Sequence, residues 1–247
     1  MSEGVALVTG ASRGIGAGIA LELARTGMHV AVTARDIERL DDVKSELERI
    51  GVRCLPVTLD VTNVAGIQPA VDLIEAELGP IQLLVNNAGV NIPRSAVDVT
   101  EDQWDSILDT NLKGVFFCTQ AVGRRMIARR SGAIVNVASA AGLIPAEERS
   151  AYCSSKAGVV MLTKELALEW APFGVRVNAV APTFVETELA AQTLNQPGMR
   201  ELWNARIPLR RIASVEDVAA AVRYLASAGA EFITGVTIPV DGGLTMR

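Results

Sequence analysis

The sequence has one histidine, three cysteines and no surplus of basic residues, and each shortage closes off a class of function. His29 stands alone just before an apolar run, without the partner ligands a metal site needs. Cys54, Cys118 and Cys153 lie far apart with no paired spacing. Neither a disulfide framework nor a zinc cluster is expected from them, and a reducing, cytoplasmic compartment is. Lys and Arg total 23 against 28 Asp and Glu, a net charge of -5, which leaves no electrostatic footprint for a nucleic acid. No apolar run reaches the roughly eighteen residues that a membrane helix needs. The start, MSEGVALVTG, has an acid at Glu3 and passes straight into a strand-like run, which is not the pattern of a secretory signal. The densest basic run, Arg124-Arg125 with Arg129-Arg130, reads as the solvated end of a helix or as an anionic docking patch.

What the chain does have is apolar material, 49% of 247 residues, enough for one large α/β domain. Apolar runs at 5–10, 29–35, 53–61, 81–89, 132–139, 174–182 and 235–243 alternate with amphipathic stretches. Helical patterns follow the first run through Arg25, fill 36–51, reach Leu78 after the third, and extend from about Glu101 to Arg130. Strands this uniformly apolar are buried on both faces, so a seven-stranded doubly wound parallel sheet with helices on both sides is expected. The whole of 1–247 reads as a single domain. Its least regular part, about 183–213, sits just after a strand, where a substrate lid is expected. Val-Asn pairs close three runs, at Asn86, Asn136 and Asn178, and suggest polar groups along the ligand-binding edge of the sheet.

Three stretches carry chemistry. VTGASRGIG places Gly10, Gly14 and Gly16 between a strand and a helix, where backbone N–H groups can cradle a pyrophosphate. The second run ends TARD. Ala34 stands where an acid that reads a ribose 2′-hydroxyl is common, and Arg35 with Arg13 suits a 2′-phosphate. NADP(H) is therefore the expected cofactor, with NAD(H) the alternative because Asp36 could be the displaced acid. In SAYCSSK, Tyr152 and Lys156 are four apart on one helix face, which is either a surface pair or an acid–base pair.

These pieces, with LDV (59–61), NNAG (86–89), Asn111 in TNLKG, Ser139 after VNVA, VRVNAVAP and the terminal VDGG, resemble a classical short-chain dehydrogenase/reductase over nearly the whole chain. The resemblance implies a catalytic tetrad of Asn111, Ser139, Tyr152 and Lys156. Tyr152 would be the general acid for carbonyl reduction, with its phenol lowered by the charge of Lys156. Ser139 would hold the substrate oxygen and Asn111 a water leading to Lys156. It also implies cofactor contacts from Gly10, Ser12, Arg13, Gly14, Ile15, Gly16, Arg35, Asp60, Val61, Asn87, Ala88, Gly89, Tyr152, Lys156, Pro182, Val185 and Thr187. No metal site is implied.

Pro182-Thr183 departs from the Pro-Gly usual in the family and points to sugar and polyol members. The expected reaction is carbonyl–alcohol interconversion on a small sugar-like, polyol or keto substrate. The alternatives are a 3-oxoacyl-[acyl-carrier-protein] reductase, for which Arg129 and Arg130 would dock the carrier, and a non-catalytic dinucleotide sensor. The lid mixes Glu186, Glu188, Gln192 and Asn195 with Leu189, Leu194 and Trp203 and does not separate the substrates. A homotetramer is implied, with the helices around 101–130 and 152–171 between subunits and the TIPVDGGLTMR tail at another contact.

Overall fold

The computed structural model describes residues 4–246, apart from the side chains of Leu189 and Gln192. Glu3, Arg247 and those two lid side chains, all used in the sequence reading, lie outside the described residues. Seven strands form one parallel sheet: β1 Val5–Val8, β2 His29–Ala34, β3 Cys54–Thr58, β4 Ile81–Asn86, β5 Gly132–Val137, β6 Val175–Pro182 and β7 Thr237–Val240. Their order is β3-β2-β1-β4-β5-β6-β7, so the winding reverses between β1 and β4. At such a switch point the two following loops diverge and leave a crevice at the carboxyl ends of the strands.

Alternation along the strands divides the core. Ala6 and Val8 of β1 pack with Ile19 and Leu23 of α1 (Gly14–Arg25), Leu47 of α2 (Asp41–Ile50) and Val218 of α9 (Val215–Ala226). Val5 and Leu7 face the other way, onto Ile74 of α3 (Val64–Leu78), Val122 of α5 (Gly114–Arg129) and Leu166 of α6 (Ser150–Trp170). Both faces of β1 are thus dry, which is why the sequence there reads as a continuous apolar run.

Two expectations change. The helix expected over 101–130 is interrupted: α4 (Glu101–Leu108) gives way to a π turn at Asp109–Lys113, in which the Gly114 N–H reaches back five residues to the Asp109 carbonyl. Such insertions widen the helix locally and recur at functional sites.

The Val-Asn pairs are the second correction. Asn86, Asn136 and Asn178 are buried and do not line the crevice. Asn86 Nδ2 donates to Thr119 Oγ1 and Asn136 Oδ1, both at 2.8 Å, and Asn136 Nδ2 donates to Thr163 Oγ1 at 2.9 Å. Asn178 pairs in register with Val135, so it faces the other side of the sheet, where its Nδ2 meets the Ile233 carbonyl at 2.9 Å. A one-residue offset reverses the face, and equal motifs then end in different surroundings.

The segment 183–213 holds two short helices, α7 (Glu188–Leu194) and α8 (Met199–Arg206), above a small cluster of Leu194, Ile207 and Ile212. A bridge between Val185 and Ala213 closes its two ends. Among the described residues, no helix is long and apolar enough to cross a membrane.

Candidate active site

A cavity of about 550 Å³ opens at the switch point between β1 and β4. Its first wall is the loop from β1 into α1. Gly10 and Gly14 take φ of 63° and 58°, and a Cβ on Gly10 would come within 2.7 Å of the Ala88 backbone. A Cβ on Gly16 would lie 2.5 Å from the Gly10 carbonyl. No side chain caps α1 at Arg13 and no acid stands in its first turn, so its leading N–H groups and positive end are left to a ligand. Asn87 fixes the loop from behind, donating to the carbonyls of Thr9 at 3.0 Å and Gly10 at 2.9 Å. These features fit a dinucleotide pyrophosphate, which needs close backbone approach and donors without competing side chains.

At the β2 end, Arg35 lines the cavity and has no ion-pair partner among the described residues. Asp36, the rival acid, also lines the cavity but is engaged locally: it accepts from the Glu38 N–H at 3.1 Å and pairs with Arg39 at 3.6 Å. Arg39 also lines the cavity and was missed in the sequence, because nothing in a charged helical stretch marks one arginine as folding back toward the loop. Arg13 pairs with Glu188 of α7 at 3.2 Å across the mouth. Asp60 carries an Asx turn onto Thr62, accepting from its N–H at 3.0 Å and its hydroxyl at 2.8 Å.

The third wall carries Ser139, Tyr152 and Lys156. Ser139 ends the β5 loop, with Oγ accepting from the Ala141 N–H at 3.2 Å. Lys156 is only 4% exposed, and its Nζ donates to the Val137 carbonyl at 2.7 Å and lies 5.9 Å from the Tyr152 ring centre. This removes the surface-pair reading. The expectation that Lys156 lowers the phenol is corrected. Burial raises the Tyr152 phenol above its ordinary value, opposed by the Ser139 hydrogen bond and the charge of Arg149. Burial also pushes Lys156 down to about 8. One low-dielectric pocket disfavours both phenolate and ammonium.

Asn111 lies behind this wall, fully buried in the π turn and not on the cavity surface. Its amide brackets Val90, accepting from the N–H and donating to the carbonyl, each at 2.8 Å. Gly89 separates it from Lys156: a Cβ there would sit 3.3 Å from Asn111 Oδ1 and 3.7 Å from Lys156 Nζ.

The remaining residues singled out in the sequence line the cavity, including Ser12, Ile15, Val61, Pro182 and Thr187, with one exception. Val185 is 3% exposed and packs in the core beside Ala213, because its backbone closes the base of 183–213. Ser155, unmarked in the sequence, is fully buried and joins Asn111 to the Tyr152 turn.

A family model described as Enoyl-(Acyl carrier protein) reductase matches residues 10–245. The chain is 40% identical over 242 residues to the 3-oxoacyl-[acyl-carrier-protein] reductase FabG of Staphylococcus aureus (strain Mu50), covering 98% of both. It is 39% identical over 251 residues to an NAD-dependent glycerol dehydrogenase of Listeria innocua, covering 100% of this chain and 96% of that one. It superimposes with a TM-score of 0.96 on a gluconate 5-dehydrogenase from Burkholderia cenocepacia J2315 in complex with NADP and tartrate, at 34% identity and covering 100% and 97% of the two chains. With the glycine cradle and the Ser139–Tyr152–Lys156 wall meeting in one cavity, these matches agree on a single conclusion: the chain belongs to the short-chain dehydrogenase/reductase family, oxidoreductases that act on CH–OH or carbonyl groups.

Proposed function

We propose that the protein is an NADP(H)-dependent oxidoreductase that interconverts a carbonyl and a secondary alcohol on a small, polar substrate. The observation that carries this reading is the convergence of Ser139, Tyr152 and Lys156 with the glycine loop on one cavity. A nicotinamide held there would supply a hydride to the carbonyl carbon, or take one from the alcohol in reverse. Tyr152 gives its phenolic proton to the oxygen, and a phenol held up by burial is in the protonated form that this step needs. Ser139 Oγ, which donates to the Pro182 carbonyl at 3.4 Å, would turn to donate to the same oxygen. Lys156, protonated below about 8, holds the ribose and restores the proton. Arg35 and Arg39, with Asp36 engaged at its own turn, support NADP(H) over NAD(H).

A small substrate is supported by Thr187 and Glu188 at the start of α7, which line the cavity, with 183–213 as the lid. The FabG likeness favours a second reading, 3-oxoacyl-carrier-protein reduction. Against it, the candidate docking arginines are engaged within the chain. Arg129 meets Glu75 at 2.9 Å and the Ile81 carbonyl at 2.8 Å, and Arg130 donates to the Pro172 carbonyl at 2.7 Å.

Assembly as a homotetramer belongs to the same proposal, supported by Met161 and Leu168, 62% and 74% exposed on α6. Light scattering that returns a monomer mass at micromolar concentration overturns that part. Free cysteines among the described residues suit a cytoplasmic enzyme.

The test is NADPH oxidation against ketoses, diketones and 3-oxoacyl thioesters, with wild type and Tyr152→Phe. Tyr152→Phe is expected to lower kcat by about 10²–10⁴-fold while NADPH still binds. Near-normal turnover in Tyr152→Phe sinks the mechanism, and turnover confined to the thioesters sinks the small-substrate reading.

A further inference from the structure

One charged group lies just behind the tyrosine end of the cavity, and its only role so far is its charge on Tyr152. Arg149 immediately precedes α6, half-buried, three residues before Tyr152. Its guanidinium stacks over the Phe184 ring at 5.9 Å, and Phe184 follows the cavity-lining Thr183. Among the described residues it has no carboxylate partner. The arginine is delivered by a strained turn: Glu148 adopts φ of 56°, a conformation non-glycine residues seldom take. The Glu148 carbonyl accepts from the Arg94 N–H at 2.8 Å, which draws the segment carrying Asn91 alongside Arg149.

Asn91 lines the same cavity, and its Oδ1 is buried without a hydrogen-bond partner. An acceptor in that state takes its donor from an ordered water or from a ligand hydroxyl. Phe184 and Trp203, with ring centres 4.3 Å apart, form the apolar side of this corner. The corner therefore offers a guanidinium fork on an aromatic face, near enough for its charge to act on Tyr152, and an unused acceptor on the cavity wall. A guanidinium so placed matches a planar carboxylate, with two parallel N–H···O bonds.

We propose that the substrate is a short hydroxy acid and its oxo counterpart, with the carboxylate held by Arg149 and a hydroxyl donating to Asn91 Oδ1. This deepens the proposed function and rests on it. Oxidation moves a hydride from the carbinol carbon to the nicotinamide and the hydroxyl proton to Tyr152 in its phenolate form, the phenol's own proton having first left by way of Lys156, and the carboxylate stays unchanged as a handle. Arg149 is a specificity residue for that handle. Its charge also reaches Tyr152, so its test must separate binding from proton transfer.

The separation comes from matched pairs that differ only in a terminal carboxylate or CH2OH: glycerate and glycerol, threonate and threitol, gluconate and glucitol. NADP⁺ reduction is measured for each with wild type, Arg149→Met and Arg149→Lys. In wild type the acid of the best pair is expected to exceed its polyol in kcat/KM by at least about tenfold. Arg149→Met should reduce that preference about ten- to hundredfold, the size of a lost charge-assisted bond, mainly through KM. Arg149→Lys should recover part of it. A wild type that prefers the polyol in every pair overturns the proposal and leaves the small-substrate reading standing. Equal losses on acid and polyol also overturn it, since Arg149 then acts on Tyr152 alone. If none of the six is oxidised, titration of the NADP⁺-loaded protein with tartrate judges the carboxylate site by itself. Tartrate affinity at least about tenfold weaker in Arg149→Met supports the site, and equal affinity rejects it.

Discussion

Asn111 Nδ2 donates to Ser155 Oγ at 3.1 Å, and that hydroxyl donates in turn to the Tyr152 carbonyl at 2.7 Å. The π turn and the helix carrying Tyr152 are thereby locked to each other through one small buried side chain. The loop after β4 joins the same unit through the two Asn111–Val90 bonds. Three pieces of chain distant in sequence thus hold a common geometry behind the cavity wall.

Ser155→Ala should therefore act on catalysis through position. The lost bond is worth about 1 kcal/mol, which in a chain of this length lowers Tm by roughly 2–4 °C. If that energy is felt in the transition state, kcat drops about fivefold with NADPH affinity retained. Thermal unfolding and steady-state kinetics check both. An unchanged kcat beside a lowered Tm would make the link a packing contact only.

The asparagine ladder makes the opposite prediction. Thr163→Val removes the acceptor of Asn136 Nδ2 in a fully buried place, at a cost of about 1–3 kcal/mol. Urea unfolding should show this loss while KM for cofactor and substrate stays put. A raised KM with normal stability would return Asn136 to the ligand edge that the sequence suggested.

Cofactor choice rests on Arg35 and Arg39 beside an Asp36 turned to its own backbone. Arg35→Ala should weaken NADPH binding about ten- to hundredfold and hardly alter NADH. Arg39→Ala should weaken NADPH in the same direction and also free the Asp36 carboxylate. Fluorescence titration with both cofactors reads these changes. Higher kcat/KM with NADH in the wild type would mean that Asp36 reads the ribose.

Lys156 carries a pH signature. Its folded value is about 8 against an ordinary 10.5, so below about 8 both folded and unfolded chains hold the proton and the full cost of burying the ammonium is present. Between 8 and 10.5 the unfolded chain binds a proton that the folded chain has released, and stability rises with pH. The rise is roughly 3 kcal/mol across the window, at about 1.4 kcal/mol per unit. Comparison with Lys156→Met isolates it, because Cys54, Cys118 and Tyr152, all raised by burial, act the other way in both proteins. A stability difference that stays flat from pH 8 to 10 would rule out a buried, depressed lysine.

The sequence by itself determined the sheet, the glycine loop and the helix bearing Tyr152 and Lys156. Those features follow from local rules: buried parallel strands need unbroken apolar runs, a backbone cradle needs glycines, and residues four apart share a helix face. Only the tertiary structure decided where individual polar side chains spend their hydrogen bonds. Three Val-Asn pairs look alike in sequence, yet the register of β5 against β6 turns Asn136 to one face and Asn178 to the other. Asp36 and Arg39 could not be assigned to each other from a charged stretch, nor Arg129 to Glu75, 54 positions away. The sense of the Tyr152 shift was likewise beyond spacing rules. Lys156 is near in sequence and promises a lowered phenol, whereas burial, which depends on everything packed around the pair, raises it against the Ser139 hydrogen bond and the Arg149 charge.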